Sequence, residues 1–258
     1  MNQGLQAFKR DRLTEALNFL GQASDVDPTN DRAFFYQGLL YEQKLDKFGQ
    51  AEESYRRAIE INGANAEYHY HLGAALAKQQ KWKEAVASLE KSLELDPERA
   101  EAHLRLGMSL ERLEQYDRAQ EVYMRAIQTD PRLPEAYNAL GNLYRRFEQY
   151  SHAAQVFKNG IENNPGWPMN YHDLGLVYSA QRRFADAIGQ YEKARELEPG
   201  HPGTLFNLGM AHYANGDGPK AIEHLKMYLS RRTATEDPLR IEAAQDTLTR
   251  LEAAQQQP

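Results

Sequence analysis

Cysteine is absent from the 258 residues of this chain. Its absence excludes disulfide bonds, thiolate zinc sites and lipid attachment to cysteine, but it says nothing about the compartment. The chain also lacks an apolar run of membrane-spanning length, and it does not begin with a charged segment followed by an apolar one. We therefore expect no membrane insertion and a cytoplasmic location, unless a targeting segment has been removed from the sequence.

Positive charge is also in short supply, since the net charge is −6. An acidic balance disfavours a nucleic acid or an anionic membrane as the main partner. Adjacent arginines do occur, but neighbouring residues on a helix point about 100° apart, so no pair forms a continuous basic stripe. The pairs are Arg56-Arg57, Arg145-Arg146, Arg182-Arg183 and Arg231-Arg232. We predict that the chain does not bind nucleic acid.

Motifs for catalysis and cofactor binding are missing as well. The sequence contains no Gly-rich phosphate loop, no nucleophile elbow and no pair of carboxylates placed for acid–base work. Nothing matches the template of an active site. We therefore predict a protein that is not an enzyme and that needs no cofactor.

The chain consists mainly of one stretch repeated with variations, best seen from Tyr137 to Pro165. This stretch has a Leu-Gly pair, an aromatic residue, a small residue, a large apolar residue and a closing proline. Its glycine returns every 34 residues, with one interval of 35, at Gly4, Gly38, Gly73, Gly107, Gly141, Gly175 and Gly209. Its small residue returns at Ala16, Ala51, Ala85, Ala119, Ala153, Ala187 and Ala221. A fixed period of this size indicates a repeat solenoid, in which each repeat contacts only its neighbours.

A period of 34 residues with this pattern resembles the tetratricopeptide repeat (TPR), and the resemblance extends from Met1 to about Thr235. The Leu-Gly pairs are Leu72-Gly73, Leu106-Gly107, Leu140-Gly141, Leu174-Gly175 and Leu208-Gly209, and the closing prolines are Pro28, Pro97, Pro131, Pro165 and Pro199. The resemblance implies an all-α fold with two antiparallel helices in each repeat. The repeats should stack into a right-handed superhelix that ends in a C-terminal capping helix.

Seven repeats and a cap follow from this pattern. The repeats span residues 1–30, 31–65, 66–99, 100–133, 134–167, 168–201 and 202–235; the capping helix spans 236–253, and 254–258 is expected to be a disordered tail. Met1 to Gln3 cannot supply the helical turns that precede Gly141, so the first helix should be short and the N-terminal edge uncapped. An origin in a longer repeat protein, or an alternative start, would explain this.

Individual repeats depart from the pattern in ways that predict local structure. The extra residue of repeat 2 lies between Gly38 and Ala51, and we expect it to lengthen the loop between the two helices. Pro219 suits the first turn of a helix in repeat 7, where Tyr228 replaces a small residue. Asp237 followed by Pro238 reads as the start of the capping helix, whose apolar stripe is Ile241, Ala244, Leu248 and Leu251.

Candidate metal sites are weak. His69 and His71 are two residues apart and do not share a helix face. His69 and His103 occupy the slot that Tyr137 and Tyr171 fill in other repeats, which is a packing position. The acidic run from residue 25 to 31 lacks the glycine and the distal glutamate of a calcium loop, and a turn between repeats explains it better. We therefore predict no metal site.

The resemblance points instead to the concave groove, which the first helix of each repeat lines in the TPR family. The expected partner-binding residues combine aromatic, Met, Asn and basic side chains, which suit apolar anchors and carboxylates. They are Phe35, Leu39, Tyr70, Lys78, Leu104, Met108, Arg112, Asn138, Asn142, Arg145, Arg146, His172, Leu176, Phe206, Met210 and Tyr213, with Leu5 and Phe8 at the apolar beginning and Glu67, Glu101 and Glu135 as an acidic rim. The alternative is that some of the apolar ones only pack against the next repeat.

Two specialised forms of the family do not fit. A chaperone carboxylate clamp uses a Lys or Asn, an Asn and a Lys or Arg on successive first helices. Asn142 matches, but Asn138 stands where Lys is expected and Asp173, which would repel a carboxylate, stands where the second Asn is expected. The asparagine ladder of the O-GlcNAc transferases is also missing, since only Asn207 occupies its slot.

The resulting expectation is a non-catalytic scaffold or adaptor that holds a protein partner, either a peptide segment or a small domain, in the groove. Bacterial adaptors of pilus, secretion or polarity machinery are similar in size and composition. Two alternatives remain: a TPR arm excised from a larger enzyme or multi-domain protein, and self-association through the uncapped N-terminal edge.

Overall fold

The computed structural model describes residues 1–231 and 237–255, and within these ranges it contains fifteen α-helices and no strand. The helices are α1 Asn2–Lys9, α2 Leu13–Val26, α3 Asp31–Leu45, α4 Phe48–Ile61, α5 Ala66–Lys78, α6 Trp82–Leu95, α7 Ala100–Arg112, α8 Tyr116–Thr129, α9 Pro134–Arg146, α10 Tyr150–Asn163, α11 Pro168–Ala180, α12 Phe184–Leu197, α13 Pro202–Ala214, α14 Gly218–Arg231 and α15 Pro238–Gln255. The predicted all-α class is confirmed.

The helices form two compact units, an N-terminal unit (Met1–Asp130) and a C-terminal unit (Pro131–Pro258). In the N-terminal unit α1 pairs with α2, α3 with α4, α5 with α6 and α7 with α8, and each pair packs on the next. In the C-terminal unit α9 pairs with α10, α11 with α12 and α13 with α14, and α15 then packs on α13 and α14. Each unit is thus a row of helical hairpins, as the sequence predicts.

Each hairpin is held together by a close approach at the repeat glycine. A Cβ atom added to Gly107 would lie 2.4 Å from the ring of Tyr123, and one added to Gly141 would lie 2.5 Å from the ring of Phe157. Real Cβ atoms do not approach side chains this closely, so only glycine lets the large side chain of the second helix in. The prediction that these residues are small because the helices cross closely is confirmed.

The turn inside each hairpin uses a left-handed residue, which the sequence analysis did not anticipate. One residue in each of the seven turns has a positive φ between 50° and 83°, and six of the seven are not glycine: Asp11, Asp46, Gln80, Glu114, Glu148 and Arg182, followed by Gly216. A left-handed residue after the last helical turn is a common way to end a helix. The sequence does not reveal these left-handed residues, because only the last of the seven turns has glycine at this position.

The expected long loop in repeat 2 is wrong. Helix α3 has 15 residues, whereas α5 and α7 have 13 each, so the extra residue extends the helix. Only Asp46 and Lys47 separate α3 from α4, and the amide of Lys47 reaches back to the carbonyl of Tyr41 at 2.9 Å. The chain between Gly38 and Ala51 is therefore accommodated by more helix and a shorter turn.

The ends of the chain follow the sequence prediction in most respects. Helix α1 has eight residues, as expected of a short first helix. Pro219 lies in the first turn of α14, and the amide of Leu239 donates to Oδ1 of Asp237 at 3.0 Å where α15 begins. In the apolar stripe of α15, Ala244 and Leu248 are buried and the other two are half-buried.

At the C-terminus one prediction is wrong, and others concern residues that the structure does not describe. The expected disordered tail begins at residue 254, but α15 continues to Gln255. Arg232, the predicted end of repeat 7 at residue 235, the predicted start of the cap at 236 and the final residues 256–258 lie outside the described residues. Across the part of the chain that the structure describes, no helix combines the length and apolar character needed to cross a bilayer.

Candidate binding surface

The predicted partner-binding residues differ widely in exposure. Lys78, Met108, Arg112, Arg146 and Tyr213 are exposed, whereas Tyr70, Leu104, Asn138, Asn142, Arg145, Leu176, Phe206 and Met210 are half-buried. Phe35, Leu39 and His172 are buried. The expectation that these last three are exposed in a groove is wrong, because neighbouring helices cover them.

Phe35 shows how this happens in the N-terminal unit. Its ring centroid lies 4.7 Å from that of Tyr68, 5.5 Å from that of His71 and 5.9 Å from that of Tyr55. Leu39 belongs to the same apolar cluster. The two side chains hold α3 against α4 and α5, so the alternative reading, packing against the next repeat, is correct for them.

A half-buried carboxylate lies beside this cluster. Glu42 accepts a hydrogen bond from the hydroxyl of Tyr55 at 2.6 Å and lies 3.1 Å from Nδ1 of His71. Burial would raise the pKa of Glu42, but the hydrogen bonds from His71 and Tyr55, together with the charges of His71 and Arg105, hold it below its ordinary value. Glu42 therefore stays ionised and ties α3, α4 and α5 together.

Tyr70 is committed to its own neighbours. Nε of Arg105 donates to the Tyr70 hydroxyl at 2.8 Å, and the guanidinium of Arg99 lies 5.1 Å from the centre of the ring. The contact joins α5 to α7 through a charged hydrogen bond and a cation–π interaction. Tyr70 consequently offers a partner only part of its ring.

Helix α7 presents an open stripe in the same unit. Leu104, Met108 and Arg112 follow one another at intervals of four residues, and such residues share one helix face. Met108 is 54% exposed, which is unusual for a large apolar side chain, while Leu104 is half-buried. The guanidinium of Arg112 lies 5.6 Å from the Trp82 ring centre, and this contact steadies it.

Lys78 occupies on α5 the position that Arg112 occupies on α7, five residues after the repeat glycine. Helices α5 and α7 are in contact. We call the set Lys78, Leu104, Met108 and Arg112 the α7 stripe. It combines an apolar centre with cations, and both cations are exposed.

The C-terminal unit differs, because its polar residues bind one another. Asp173 is 5% exposed, and its Oδ2 accepts hydrogen bonds from Nδ2 of Asn138 and, at 2.9 Å, from Nδ2 of Asn142. Nε of Arg145 donates to Oδ1 of Asn142 at 3.1 Å. Burial raises the pKa of Asp173, although both asparagines and the charge of Arg145 act against it. The expected recognition amides are therefore largely used inside the protein.

His172 is covered in the same unit. Its Nδ1 lies 2.9 Å from the hydroxyl of Thr204, and its ring centroid lies 5.3 Å from that of His201. Burial, followed by the positive charges of His201, Arg240 and Arg145, lowers the pKa of His172 to about 4. The side chain is a neutral packing group that joins α11 to α13.

The remaining apolar residues approach the capping helix. The ring centroid of Phe206 lies 5.3 Å from that of Tyr228. The guanidinium of Arg240 lies 5.9 Å from the centre of the Phe206 ring. The hydroxyl of Thr247 lies 3.8 Å from the sulfur of Met210. Phe206 and Met210 thus support α15, and Tyr213 is the exposed apolar residue at this end of the predicted set.

A further group of titratable residues lies outside the set predicted from the sequence. His69 and His103 do use their Nε2 atoms locally, each 3.0 Å from a backbone carbonyl. Glu192, His212 and His224, however, come together from three helices of the C-terminal unit. The available signal was a histidine three residues after Gly209, a position that holds Leu76 and Leu110 in other repeats.

Comparisons with protein families identify the repeats. Models described as "Tetratricopeptide repeat" match residues 76–143, 136–166 and 172–238, and one described as "TPR repeat" matches residues 44–80. None of the curated proteins matches the chain.

Solved structures show the same fold. Pseudomonas aeruginosa pilF is 20% identical, with a TM-score of 0.69 over 84% of this chain and 96% of that one. MamA is 25% identical, with a TM-score of 0.56 over 62% and 94% of the two chains. YrrB, described as a TPR protein with an unusual peptide-binding site, is 22% identical, with a TM-score of 0.57 over 75% and 99%.

Proposed function

Because this chain belongs to the tetratricopeptide repeat family, we propose that it is a non-catalytic adaptor that binds a segment of a partner protein on the α7 stripe. The family and its neighbours are typically interaction scaffolds. The observation that carries the proposal is the exposure of Met108 beside Leu104, with the exposed Arg112 one turn further along α7 and the exposed Lys78 at the equivalent position of the neighbouring α5.

The apolar centre supplies the anchor. Methionine is flexible and polarisable, so it adapts to an incoming side chain, and it recurs on surfaces that bind peptides. Apolar residues that become covered in the middle of an interface carry much of the binding energy. A partner segment should therefore place one aliphatic or aromatic side chain on Met108 and Leu104.

The cations define the rest of the partner. Lys78 and Arg112 have no carboxylate within ion-pair distance among the described residues. Each can meet an acidic group on a partner, and the guanidinium of Arg112 can bind it in a bidentate manner. The expected segment is extended or helical and carries an acidic residue close to its apolar anchor. The similarity to a protein with a peptide-binding site supports this choice of partner.

The C-terminal unit is the weaker candidate for recognition. Asn138 and Asn142 already donate to Asp173, and a partner would have to replace these hydrogen bonds. Arg145, Arg146 and Tyr213 stay predicted contacts of the C-terminal unit considered by itself. The setting predicted from the sequence, a bacterial assembly such as pilus, secretion or polarity machinery, stays a prediction.

The test is capture of partners from the source cell by variants of the full chain. We expect the Met108→Glu/Arg112→Glu variant to retain at least about tenfold less partner than the wild type, because it loses an anchor and reverses a charge. Arg125→Glu, which changes an exposed arginine on α8, is the matched control and should retain the partner. A photo-crosslinking residue at position 108 should label the partner, whereas one at position 125 should not.

Other results would contradict the proposal. Equal capture by the wild type and the double variant would remove the α7 stripe from the site. Loss of the partner in Arg145→Glu/Arg146→Glu alone would move recognition to the C-terminal unit. Capture of nothing except further copies of this chain would favour self-association.

A further inference from the structure

The C-terminal unit buries two histidines that face each other across two helices. His212 lies on α13 and His224 on α14, and each is 3% exposed. Their ring centroids are 5.3 Å apart, and the rings are tilted by 14° from parallel. Neither residue belongs to the surface proposed for partner binding, so the pair needs an explanation of its own.

The ring nitrogens of this pair lack partners. Both nitrogens of His212 and Nδ1 of His224 are buried and form no hydrogen bond with any residue that the structure describes. Burying such groups without a partner costs free energy, and most buried polar atoms in proteins are satisfied. Both buried rings therefore have nitrogen atoms open to a shared ligand, while Nδ1 of His212 faces the carboxylate of Asp217.

Carboxylates surround the pair. Oε1 of Glu192, on α12, lies 3.7 Å from Nε2 of His224, and Oδ2 of Asp217, in the turn before α14, lies 3.4 Å from Nδ1 of His212. One ligand atom each from Glu192, His212 and His224 lies within 4.8 Å of the other two. Two imidazoles and a carboxylate are a ligand set that binds zinc and related divalent ions.

We propose that Glu192, His212 and His224 form a binding site for a divalent transition-metal ion of the Zn²⁺ type. Asp217 then orients His212 by accepting a hydrogen bond from Nδ1, which leaves Nε2 for the ion. Zinc binds its ligands at about 2.0–2.2 Å, so the three ligand atoms close in on it from their present separation. Rotation of the half-buried Glu192 side chain supplies part of this movement.

The neighbouring charges are compatible with this site. Arg195 donates to Oε2 of Glu192 at 2.6 Å, so Oε1, the oxygen nearer His224, stays available to the ion. Nζ of Lys220 lies 3.6 Å from Oδ2 of Asp217. A metal ion binds imidazole in its neutral form.

The consequence would be a stabilised C-terminal hairpin. The ligands come from α12, α13 and α14, so a bound ion would crosslink the last two repeats next to the capping helix. A ligand that binds the folded chain and not the unfolded one raises the melting temperature.

The test uses the full chain after treatment with a chelator and dialysis. Addition of Zn²⁺ should raise the melting temperature and bind with one-to-one stoichiometry, and Co²⁺ should develop the visible absorption bands of a tetrahedral site. Glu192→Gln, which changes a half-buried side chain, should weaken Zn²⁺ affinity by at least about tenfold while the protein stays folded. His212→Gln and His224→Gln should abolish the cobalt bands, and His103→Gln in the N-terminal unit should keep them.

Two outcomes would overturn the site. A melting temperature that does not respond to Zn²⁺, with a cobalt spectrum equal to that of the hydrated ion, would show that the histidines merely pack. Zinc binding that persists unchanged in Glu192→Gln and in the His212→Gln/His224→Gln double variant would place the ion elsewhere. Either result leaves the proposed adaptor function untouched.

Discussion

The half-buried Glu42 in the N-terminal unit and the buried Asp173 in the C-terminal unit are two carboxylates whose pKa values shift in opposite directions. Each accepts hydrogen bonds from two side chains, yet the pKa of Glu42 is lowered and that of Asp173 is raised. The Glu42 side chain is 15% exposed, and Asp173 is 5% exposed. The number of hydrogen bonds therefore does not decide whether the pKa of the carboxylate is raised or lowered.

The difference lies in the partners. Glu42 is met by a histidine and a tyrosine, with the charge of Arg105 nearby, whereas Asp173 is met by two neutral amides, with the charge of Arg145 nearby. Hydrogen bonds and nearby positive charges outweigh the cost of burial at the less buried Glu42, but they do not outweigh it at the more deeply buried Asp173. The buried charge of Asp173 consequently destabilises the C-terminal unit, whereas the hydrogen bonds of Glu42 join helices and stabilise the N-terminal unit.

The largest expected effect concerns His172, the residue next to Asp173. Its pKa falls from 6.5 to about 4 because burial favours the neutral ring. A lowered pKa gives stability that is present above pH 6.5 and is lost as the pH falls through about 4, with an upper limit of about 3 kcal/mol. In His172→Gln the loss of unfolding free energy between these pH values should shrink by up to that amount, measured by urea titration at each pH.

His103→Gln is the matched control for this experiment, since it removes a histidine of the N-terminal unit that is bonded to the Pro97 carbonyl. It should keep the pH dependence of the wild type. A dependence that is identical in His172→Gln and in the wild type would show that His172 is not held neutral.

The second prediction compares the two carboxylates directly. Glu42→Gln should lower the free energy of unfolding at pH 7 by about 2 kcal/mol, because it weakens hydrogen bonds to a charged group and leaves His71 and Tyr55 poorly paired. Asp173→Asn should change it by less than about 0.5 kcal/mol or raise it, because it removes an unfavourable buried charge. Urea unfolding of both variants measures this, with the exposed Glu121→Gln as control. Equal losses in the two variants would mean that both carboxylates are structural ties.

The smallest effect should come from giving Asp173 a charged partner. Asn138→Lys places an ammonium where an amide now donates to Asp173, and it should bring the pKa of Asp173 below its ordinary value. Carbon-detected NMR titration of the carboxyl group measures this pKa. Asn138→Gln keeps a neutral amide and should leave the pKa raised; a lowered pKa in this control would assign the effect to geometry and not to charge.

The sequence was informative wherever one position determines one contact. The period of the glycines predicted the hairpins, because no residue with a Cβ atom fits at these positions beside the large side chain of the second helix. The stripe of α15 was readable for a similar reason, since Ala244 and Leu248 recur at helical spacing on a polar background.

Other features depend on partners that are distant in the sequence. The extra residue of repeat 2 could extend a helix or a loop, and local composition does not separate the two. The burial of His172 depends on His201, at the end of its own repeat, and on Thr204 of the following repeat. Glu192 and His224 are 32 residues apart, so their approach became visible only with the helices in place.

The contact between each repeat glycine and its large side chain also bears on how the chain folds. Gly107 and Tyr123 are 16 residues apart, as are Gly141 and Phe157, so the tightest contact in each hairpin closes a short loop. Contacts of short sequence separation form quickly, and repeat arrays can begin to fold at any unit. A hairpin can therefore nucleate folding before the rest of the chain has been synthesised. A substitution that disrupts one of these contacts should unfold its own hairpin and loosen the adjacent ones, and it should not slow the folding of the remaining hairpins.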